Sequence, residues 1–428
     1  MIQTLRNAWK IEDLRKKLIY TMFILFIVRL GSAIPVPFLD PTALKAMISS
    51  GGNLLGYLDV LTGGALSNAT LLALSISPYI TASIVIQLLT VAIPALERMA
   101  KNGEDGQKKL KKITRYTTVA LAVLQAFAFY TLFRNGYYAV TYTEGFAGVL
   151  TALAIIAAFT AGAMVVVWLG ERIDEKGIGN GISLILFVGI VSRGPGAVYE
   201  LTQYFAQGPQ YYVLVPLVAV LFVLLIGFIV LMNNAERRIT VQYAKKVVGR
   251  KMYGGQSSYI PIKVNMSGVL PIIFASTFLA IPGTIKSFVD PMGTTTLGQI
   301  LGAFNYNTWL YAVIYFFLII GFNYFYIAIQ YNPIEMANNL RKNNGAIPGI
   351  RPGKPTSDFI TKVISKITLV GALMLAVIAI LPIILGNVAK MNIALGGTSI
   401  IILVGVALDT VRSLESQMMM RHYKGFLE

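Results

Sequence analysis

Apolar segments long enough to cross a bilayer recur along this chain, and they constrain its fold more than any other feature. A transmembrane helix needs about 20 mostly apolar residues. Ten segments qualify, at residues 18–36, 70–94, 117–134, 147–169, 180–203, 211–232, 267–288, 308–330, 366–386 and 396–414. The fifth has a short apolar run that meets Arg193–Gly196, so a short or broken helix is predicted there. The pattern predicts an all-α polytopic membrane protein with ten transmembrane helices.

Composition agrees with a membrane protein and excludes several kinds of chemistry. Charged residues make up 13% of the chain, whereas soluble proteins have about 25%. The chain has no Cys and one His, His422, which excludes disulfides, thiolate catalysis and Cys- or His-based metal sites in the membrane. We expect no metal and no cofactor. No small-residue cleavage site follows the first apolar run, so no cleaved signal is expected.

Lysine and arginine are concentrated on one side of the predicted membrane. Of 36 such residues, 30 lie in the terminal segments or in loops after even-numbered spans, five lie in the other loops, and Arg29 lies inside span one. Loops rich in Lys and Arg remain in the cytoplasm. Both termini are therefore predicted to be cytoplasmic.

The ten spans divide into two halves of five, residues 1–205 and 206–428. An odd number of spans per half inverts the second half relative to the first. The second span of each half carries a related pattern, Ser77–Ser83 and Leu270–Ser276, with Ala-Ser four and five residues after a Pro. This short echo, which could arise by chance, suggests an inverted repeat in which the two helices face each other across a pseudo-two-fold axis.

Two large cytoplasmic loops, 233–266 and 331–365, carry more charge and turn residues than topology requires. The first alternates Ile, Val and Tyr with basic residues, which predicts a β-hairpin-like projection. In the second, Pro352 and Gly353 predict a turn that presents Arg351. They are either solvated loops that set topology or a docking platform, and we favour the platform because long ordered loops usually carry function.

Two further stretches indicate a path through the protein. In Ser75–Thr90, Ile76, Ile80 and Ile84 recur every four residues and share one helix face. This helix is either buried among others or lines a path. The outer segment 53–70 is too short to span and too apolar for a solvated loop, so we predict a half-helix at about 57–67 that re-enters the protein.

No catalytic pattern is present, and the chain is predicted not to be an enzyme. The stretch 349–354 resembles a phosphate loop but has three residues between its glycines, where four are needed, and Pro355 after its lysine. Ionisable residues are nearly absent from the spans, whereas ion-coupled transporters usually bury carboxylates there. Gln87, Asn180 and Asn323 leave one alternative, a secondary transporter of a small neutral solute.

Several long motifs resemble the SecY family, the protein-conducting channel of the bacterial Sec translocon. They are SISPYITASIVIQLLT at 75–90, GIGNGISLILF at 177–187, GVLPIIFAS at 268–276, NPIEMANNLRKNNGAIPGIRPGKPT at 332–356 and GGTSIIIL at 396–403. They extend over essentially the whole chain. The resemblance implies an hourglass pore between two inverted five-helix halves.

The resemblance also implies roles for particular residues. The pore ring would be Ile76, Ile80, Ile182, Leu186, Ile273 and Ile402. The plug, at 57–67, would include Tyr57, Leu58, Leu61, Gly63, Gly64 and Leu66. The lateral gate, a side opening toward lipid, would involve Thr81, Gln87, Ser276 and Thr277. Partner binding would involve Arg250, Lys251 and Arg351.

The implied function is passage of unfolded secretory polypeptides across the bacterial plasma (inner) membrane, with apolar segments released sideways into membrane lipid. Expected partners are the SecE and SecG subunits, the SecA ATPase, and a translating ribosome whose rRNA contacts the basic loops. The driving energy would come from a partner, because the sequence has no nucleotide site of its own.

Overall fold

The computed structural model describes residues 2–49, 59, 62–135, 139–243, 246–248, 251–253, 257–289, 295–302, 304, 308–389 and 396–424. Fifteen α-helices are described there: α1 (Ile2–Lys10), α2 (Glu12–Gly31), α3 (Pro41–Ser49), α4 (Ser77–Ala92), α5 (Pro94–Lys101), α6 (Gly103–Asn135), α7 (Gly145–Lys176), α8 (Gly181–Gln203), α9 (Tyr211–Asn234), α10 (Leu270–Val289), α11 (Thr296–Gly302), α12 (Trp309–Gln330), α13 (Pro333–Lys342), α14 (Lys354–Ala389) and α15 (Gly397–Lys424). A 3-10 turn, Tyr204–Ala206, follows α8.

Each predicted span coincides with one of these helices, although fewer than ten qualify as spans. Within the described residues, seven helices are long and apolar enough to cross a membrane. The pair α4 and α5, bent by 103° at their junction, is an eighth candidate. Helix α2 begins with charged turns, and the described apolar part of α10 is only Leu270–Leu279. The chain is thus a mostly helical membrane protein, and the count of ten spans stays a prediction.

The helix expected at 70–94 begins later than predicted. Residues 71–76 form turns, and α4 begins at Ser77 with Ile76 as its N-cap. Pro78 therefore lies in the first helical turn, where its missing N–H leaves no hydrogen bond unmade. Pro78 thus begins this helix and does not kink it.

The fifth predicted span is a continuous helix rather than a broken one. Helix α8 extends from Gly181 to Gln203 and includes Pro195. Asn180 caps its start, since its side chain accepts a hydrogen bond from the Ser183 N–H at 3.0 Å. The glycines near Pro195 do not end the helix.

The segment between α9 and α10 contains the predicted hairpin. Strands β1 (Glu236–Tyr243) and β4 (Ser257–Lys263) pair antiparallel, and β2 (Lys246–Val248) pairs with β3 (Lys251–Tyr253). Strand β5 (Gly345–Ala346), from the other large loop, pairs with the far end of β1. The three-stranded sheet, in order β4-β1-β5, thus joins the two loops into one body, which we call the platform.

The apolar core consists of several separate clusters. One is built from α9, α10, α12, α14 and α15 and includes fully buried Ile272 and Ile319. Another packs Phe133 and Phe159 against the segment that precedes α4. A third cluster joins Ile76 and Leu186 to Ile402 of α15, so it connects the N-terminal helices to the last one.

Candidate functional site

Two cavities meet at a group of aliphatic side chains near the middle of the molecule. The larger has a volume of about 790 Å³ and the smaller about 350 Å³. Ile80, Leu186 and Ile273 border both cavities and therefore lie between them. We call these three residues the collar. They come from α4, α8 and α10, so the boundary between the cavities is built by helices distant in sequence.

The remaining predicted ring residues lie on one side or the other of the collar. Ile76 is fully buried and borders the smaller cavity. Ile182 and Ile402 border only the larger one. Ile84, which belongs to the same stripe as Ile76, borders both cavities but was not among the predicted ring residues. All six predicted ring residues thus line one or both cavities.

Close packing of glycines fixes the start of α8 and hence its collar residue. A Cβ added at Gly181 would lie 2.1 Å from the carbonyl oxygen of Gly170 in α7. No side chain larger than hydrogen fits at that distance without a backbone shift. The contact holds the first turn of α8 against α7, and Leu186 follows little more than one turn later.

One wall of the smaller cavity is formed by α4 and α10, the predicted lateral gate. Thr81 and Thr277 both border this cavity. Phe274 stacks on Phe322 of α12 with ring centroids 5.6 Å apart, and Phe278 meets the same ring edge-on at 6.3 Å. The wall therefore combines two hydroxyl groups with an aromatic cluster, a lining that suits an apolar occupant.

The other two predicted gate residues do not share that lining. Gln87 borders the larger cavity instead. Ser276 is partly buried and its hydroxyl donates to the carbonyl oxygen of Ile273, one turn earlier, at 2.9 Å. The structure thus brings together only two of the four predicted gate residues.

The described part of the predicted plug segment is a tightly folded loop. Gly63 and Gly64 have φ of 67° and 86°, a left-handed conformation that favours glycine. Leu66 is buried in the cluster around Phe133. Thr62 borders the smaller cavity, which places this loop beside the collar. Tyr57, Leu58 and Leu61 lie outside the described residues.

Three charged residues hold this loop, and the sequence analysis did not identify their role. Asp59 is fully buried, and its Oδ2 forms an ion pair with Nη2 of Arg193 in α8 at 2.6 Å. Both terminal nitrogens of Arg29, in α2, donate to the carbonyl oxygen of Gly63 at 3.4 Å. A signal was available, because charges in apolar segments are expected to find partners inside the protein.

The platform carries Arg351, one of the predicted partner-binding residues. Arg351 is exposed, and its carbonyl oxygen accepts a hydrogen bond from the Thr356 hydroxyl at 2.9 Å, which fixes the turn around it. Gly353, with φ of 105°, completes that turn. Lys251 lies in β3, where only its backbone is described, and Arg250 lies outside the described residues.

A further exposed arginine on the platform is held in place. Nε of Arg238 donates to Oε1 of Glu236 at 2.7 Å, and this hydrogen bond raises the pKa of the Arg238 guanidinium. The guanidinium also lies over the ring of Tyr259, 4.8 Å from its centroid. An arginine so oriented presents a fixed positive charge.

The larger cavity has a polar mouth of mixed charge. Its lining includes Lys111, Glu171, Asp174, Lys263 and Arg412. Among the described residues, no group of acidic or histidine side chains could hold a metal ion. The chain thus offers a wide polar vestibule, an apolar collar, a second cavity beside two helices, and a loop held next to it.

Sequence comparison identifies the family. The sequence model of the SecY family matches residues 70–411. The chain belongs to the SecY family. The protein translocase subunit SecY of Thermotoga maritima is 41% identical over 442 residues, covering 100% of this chain and 98% of that protein. SecY of Streptomyces coelicolor is 42% identical over 452 residues and covers both chains completely. The resemblance predicted from the motifs is confirmed.

Solved structures share the fold at low sequence identity. A protein-conducting channel superposes with a TM-score of 0.64 and 17% identity, covering 94% of this chain and 92% of that one. A SecY structure, whose plug domain is described as stabilising the closed state of the translocation channel, superposes with a TM-score of 0.66 and 18% identity over the same shares. Sec61 in the canine ribosome-channel complex gives 0.62 at 15% identity, with the same coverage.

Proposed function

We propose that this chain is the channel subunit of a protein translocase, through which unfolded secretory polypeptides cross the membrane and apolar segments leave sideways into lipid. Like its translocase relatives, it is a transport subunit and not an enzyme. The observation that carries the proposal is the collar of Ile80, Leu186 and Ile273 between two cavities. Aliphatic side chains seal a constriction by excluding water and make no specific polar contacts. Such a constriction suits cargo of varied sequence.

The predicted ring, plug and gate fit this collar. Ile76, Ile182 and Ile402 extend the aliphatic lining above and below it. The loop containing Thr62 borders the smaller cavity, which supports a plug that blocks the path on that side. The smaller cavity lies between α4 and α10, which supports a lateral exit there. An apolar segment would leave water at that point and reach lipid.

The proposed architecture is two inverted halves, 1–205 and 206–428, with ten spans. The collar supports the sequence similarity between the two halves. Ile80 comes two residues after Pro78, and Ile273 comes two residues after Pro271. Both prolines lie in the first turn of their helices, and both isoleucines border both cavities. This equivalence supports a pseudo-two-fold axis between the halves.

The proposed location is the bacterial plasma (inner) membrane, with both termini in the cytoplasm. The distribution of Lys and Arg supports this orientation. It puts the platform and the polar mouth of the larger cavity on the cytoplasmic side. Arg351 and the basic hairpin tip with Arg250 and Lys251 would bind the SecA ATPase or ribosomal RNA there. SecE and SecG would be the small membrane subunits.

The solute-transporter alternative is disfavoured by the state of its candidate ligands. Asn180 caps α8, with its side-chain oxygen bonded to the Ser183 N–H. Asn323 is buried and bonded to the Ser267 hydroxyl and, at 3.1 Å, to the Thr368 carbonyl oxygen. These amides already serve the fold. Family membership points the same way.

The proposal is tested by trapping a polypeptide in transit. The chain has no Cys, so Ile80→Cys and Ile273→Cys each introduce the only thiol. A precursor with one Cys is stalled during SecA-driven transport in proteoliposomes and oxidised. We expect a disulfide with both collar variants and none with Leu124→Cys, which is 64% exposed on α6. Trapping of the control alone, or of neither collar position, would contradict a path through the collar.

A further inference from the structure

A buried ion pair joins the predicted plug segment to the wall of the proposed pore. Asp59 has no solvent exposure, whereas the Arg193 side chain is 35% exposed. The two residues are 134 positions apart in sequence. Arg193 lies on α8, seven residues after the collar residue Leu186 and two turns further along the same helix. The pair therefore links the loop directly to a helix that forms the constriction.

The other acceptor atoms of Asp59 organise the loop itself. Its Oδ1 accepts the Ser67 N–H at 2.7 Å, and its carbonyl oxygen accepts the Gly64 N–H at 2.9 Å. The Thr62 hydroxyl also donates to that carbonyl oxygen, at 3.1 Å. Because these bonds fold residues 62–67 around Asp59, the carboxylate of Asp59 attaches the described part of the loop to α8.

Gly63 shows how closely the loop approaches the surrounding helices. A Cβ added there would lie 2.5 Å from Nη1 of Arg29, 2.7 Å from the hydroxyl of Ser192 and 2.8 Å from the carbonyl oxygen of Gly189. The loop thus lies against α2 and α8 at once. Within the described part of the loop, only the Asp59 pair carries formal charge on both partners, since Arg29 meets a carbonyl oxygen.

A buried carboxylate is stable only while it keeps its charged partner, because an isolated charge in apolar surroundings is strongly disfavoured. In the closed arrangement Asp59 and Arg193 satisfy each other. A loop that moved into water would hydrate both charges. Partial displacement, with the pair broken but Asp59 still buried, is the least favourable arrangement. The contact therefore favours two discrete positions, seated and released, over a continuous range.

We propose that the Asp59–Arg193 ion pair is the latch that holds the plug in its closed position and is broken when the channel opens. This inference rests on the plug assignment of the proposed function. Asp59 and Arg193 are positioning residues, since they act on the seal through the loop rather than by touching the cargo. Arg29 adds a second, weaker attachment through Gly63.

The first experiment measures ion leak from proteoliposomes that contain the purified channel without a motor or precursor. The variants are Asp59→Asn and Arg193→Gln, each nearly equal in size to the residue it replaces. We expect leak to rise about tenfold or more in both, because losing a charged hydrogen bond to a buried group shifts an equilibrium by that order. Arg134→Gln is the matched control, since among the described residues Arg134 donates only to the Thr143 carbonyl oxygen, at 2.9 Å.

A deletion variant keeps the result interpretable. Deletion of 57–67 tests the plug assignment by itself. If the deletion variant leaks and the two latch variants do not, the latch proposal is wrong and the plug assignment is supported. If the deletion variant does not leak either, both the latch proposal and the plug assignment are contradicted. If a latch variant inserts poorly or loses thermal stability while its leak is unchanged, the pair is only a structural contact and the proposal is overturned.

Covalent locking provides a readout that a structural contact would not change. The double variant Asp59→Cys with Arg193→Cys contains the only two thiols of the chain. A short bis-maleimide with a cleavable disulfide joins them. We expect the joined channel to lose leak and precursor transport together, and cleavage to restore both. Normal transport through the joined channel would show that the loop need not leave α8 and would refute the latch.

Discussion

The contact between Gly162 and the segment leading to α4 allows a quantitative test of how that helix is positioned. Gly162 is buried in α7, and an added Cβ would lie 1.9 Å from the carbonyl oxygen of Leu71 and 2.8 Å from its carbonyl carbon. Leu71 is fixed in turn, because its N–H donates to the Ile34 carbonyl oxygen at 2.9 Å. The clash in Gly162→Ala is therefore with backbone that is already held in place.

The expected size of the effect follows from two opposing contributions. Replacing Gly by Ala inside a helix is favourable by about 1 kcal/mol, and overpacking a filled site costs about 1–3 kcal/mol. Gly321→Ala measures the helix-propensity contribution alone, since Gly321 is an exposed residue of α12 with nothing within 4 Å of an added Cβ. We expect the free energy of unfolding of Gly162→Ala to be about 1–3 kcal/mol below that of Gly321→Ala.

The measurement is thermal unfolding in detergent, followed by the fluorescence of the three tryptophans. Ion leak in proteoliposomes is the second readout. Because Leu71 is five residues before Ile76, a backbone shift there would move the start of α4 and raise leak. Equal stability of the two variants would show that the backbone at Leu71 moves at no cost and that this contact does not position α4.

Three further predictions concern the proposed pore, the plug and the platform. Ile80→Gly combined with Ile273→Gly should wet the constriction and raise planar-bilayer conductance, and conductance equal to wild type would remove both from the ring. Deleting 57–67 should leave insertion intact and increase leak, whereas loss of stable insertion would make the segment structural. Arg351→Glu should abolish partner-driven transport with stability near wild type, because exposed charges contribute little to stability. Lys362→Glu, also at an exposed position, is its control. Normal transport by the Arg351 variant would show that the loop only sets the topology and does not bind a partner through Arg351.

The sequence predicted best those features that depend on local pattern. Long apolar runs require helices in lipid because no other open structure satisfies the backbone there. Each predicted span accordingly coincides with a helix. The relation of Ile80 and Ile273 to their preceding prolines was also visible in the sequence, and both residues border both cavities.

Features that depend on distant residues or on local turn geometry were not predicted. Whether Pro78 kinks a helix or begins one depends on the turns at 71–76, which no periodicity reveals. The pairing of Asp59 with Arg193 joins residues 134 apart, and one sequence gives no information on which charges meet. The resemblance placed Gln87 with Thr81 at the lateral gate, yet Gln87 borders the other cavity. The pairing of β1 with β5, which joins the two large loops, was not predicted because it also depends on residues distant in sequence.

That joint has a mechanical consequence. Strand β1 begins two residues after α9 ends, and six residues lie between the end of β4 at Lys263 and Leu270, where α10 begins. The Val264 N–H donates to the Ala235 carbonyl oxygen at 2.9 Å, so the residue before β1 is bonded to the residue after β4. A load applied at Arg351 would therefore pass from β5 through β1 and β4 to the segment that leads into α10, the helix that carries Ile273. Helix α4 is far in sequence from all three strands of that sheet and would not receive the load through them.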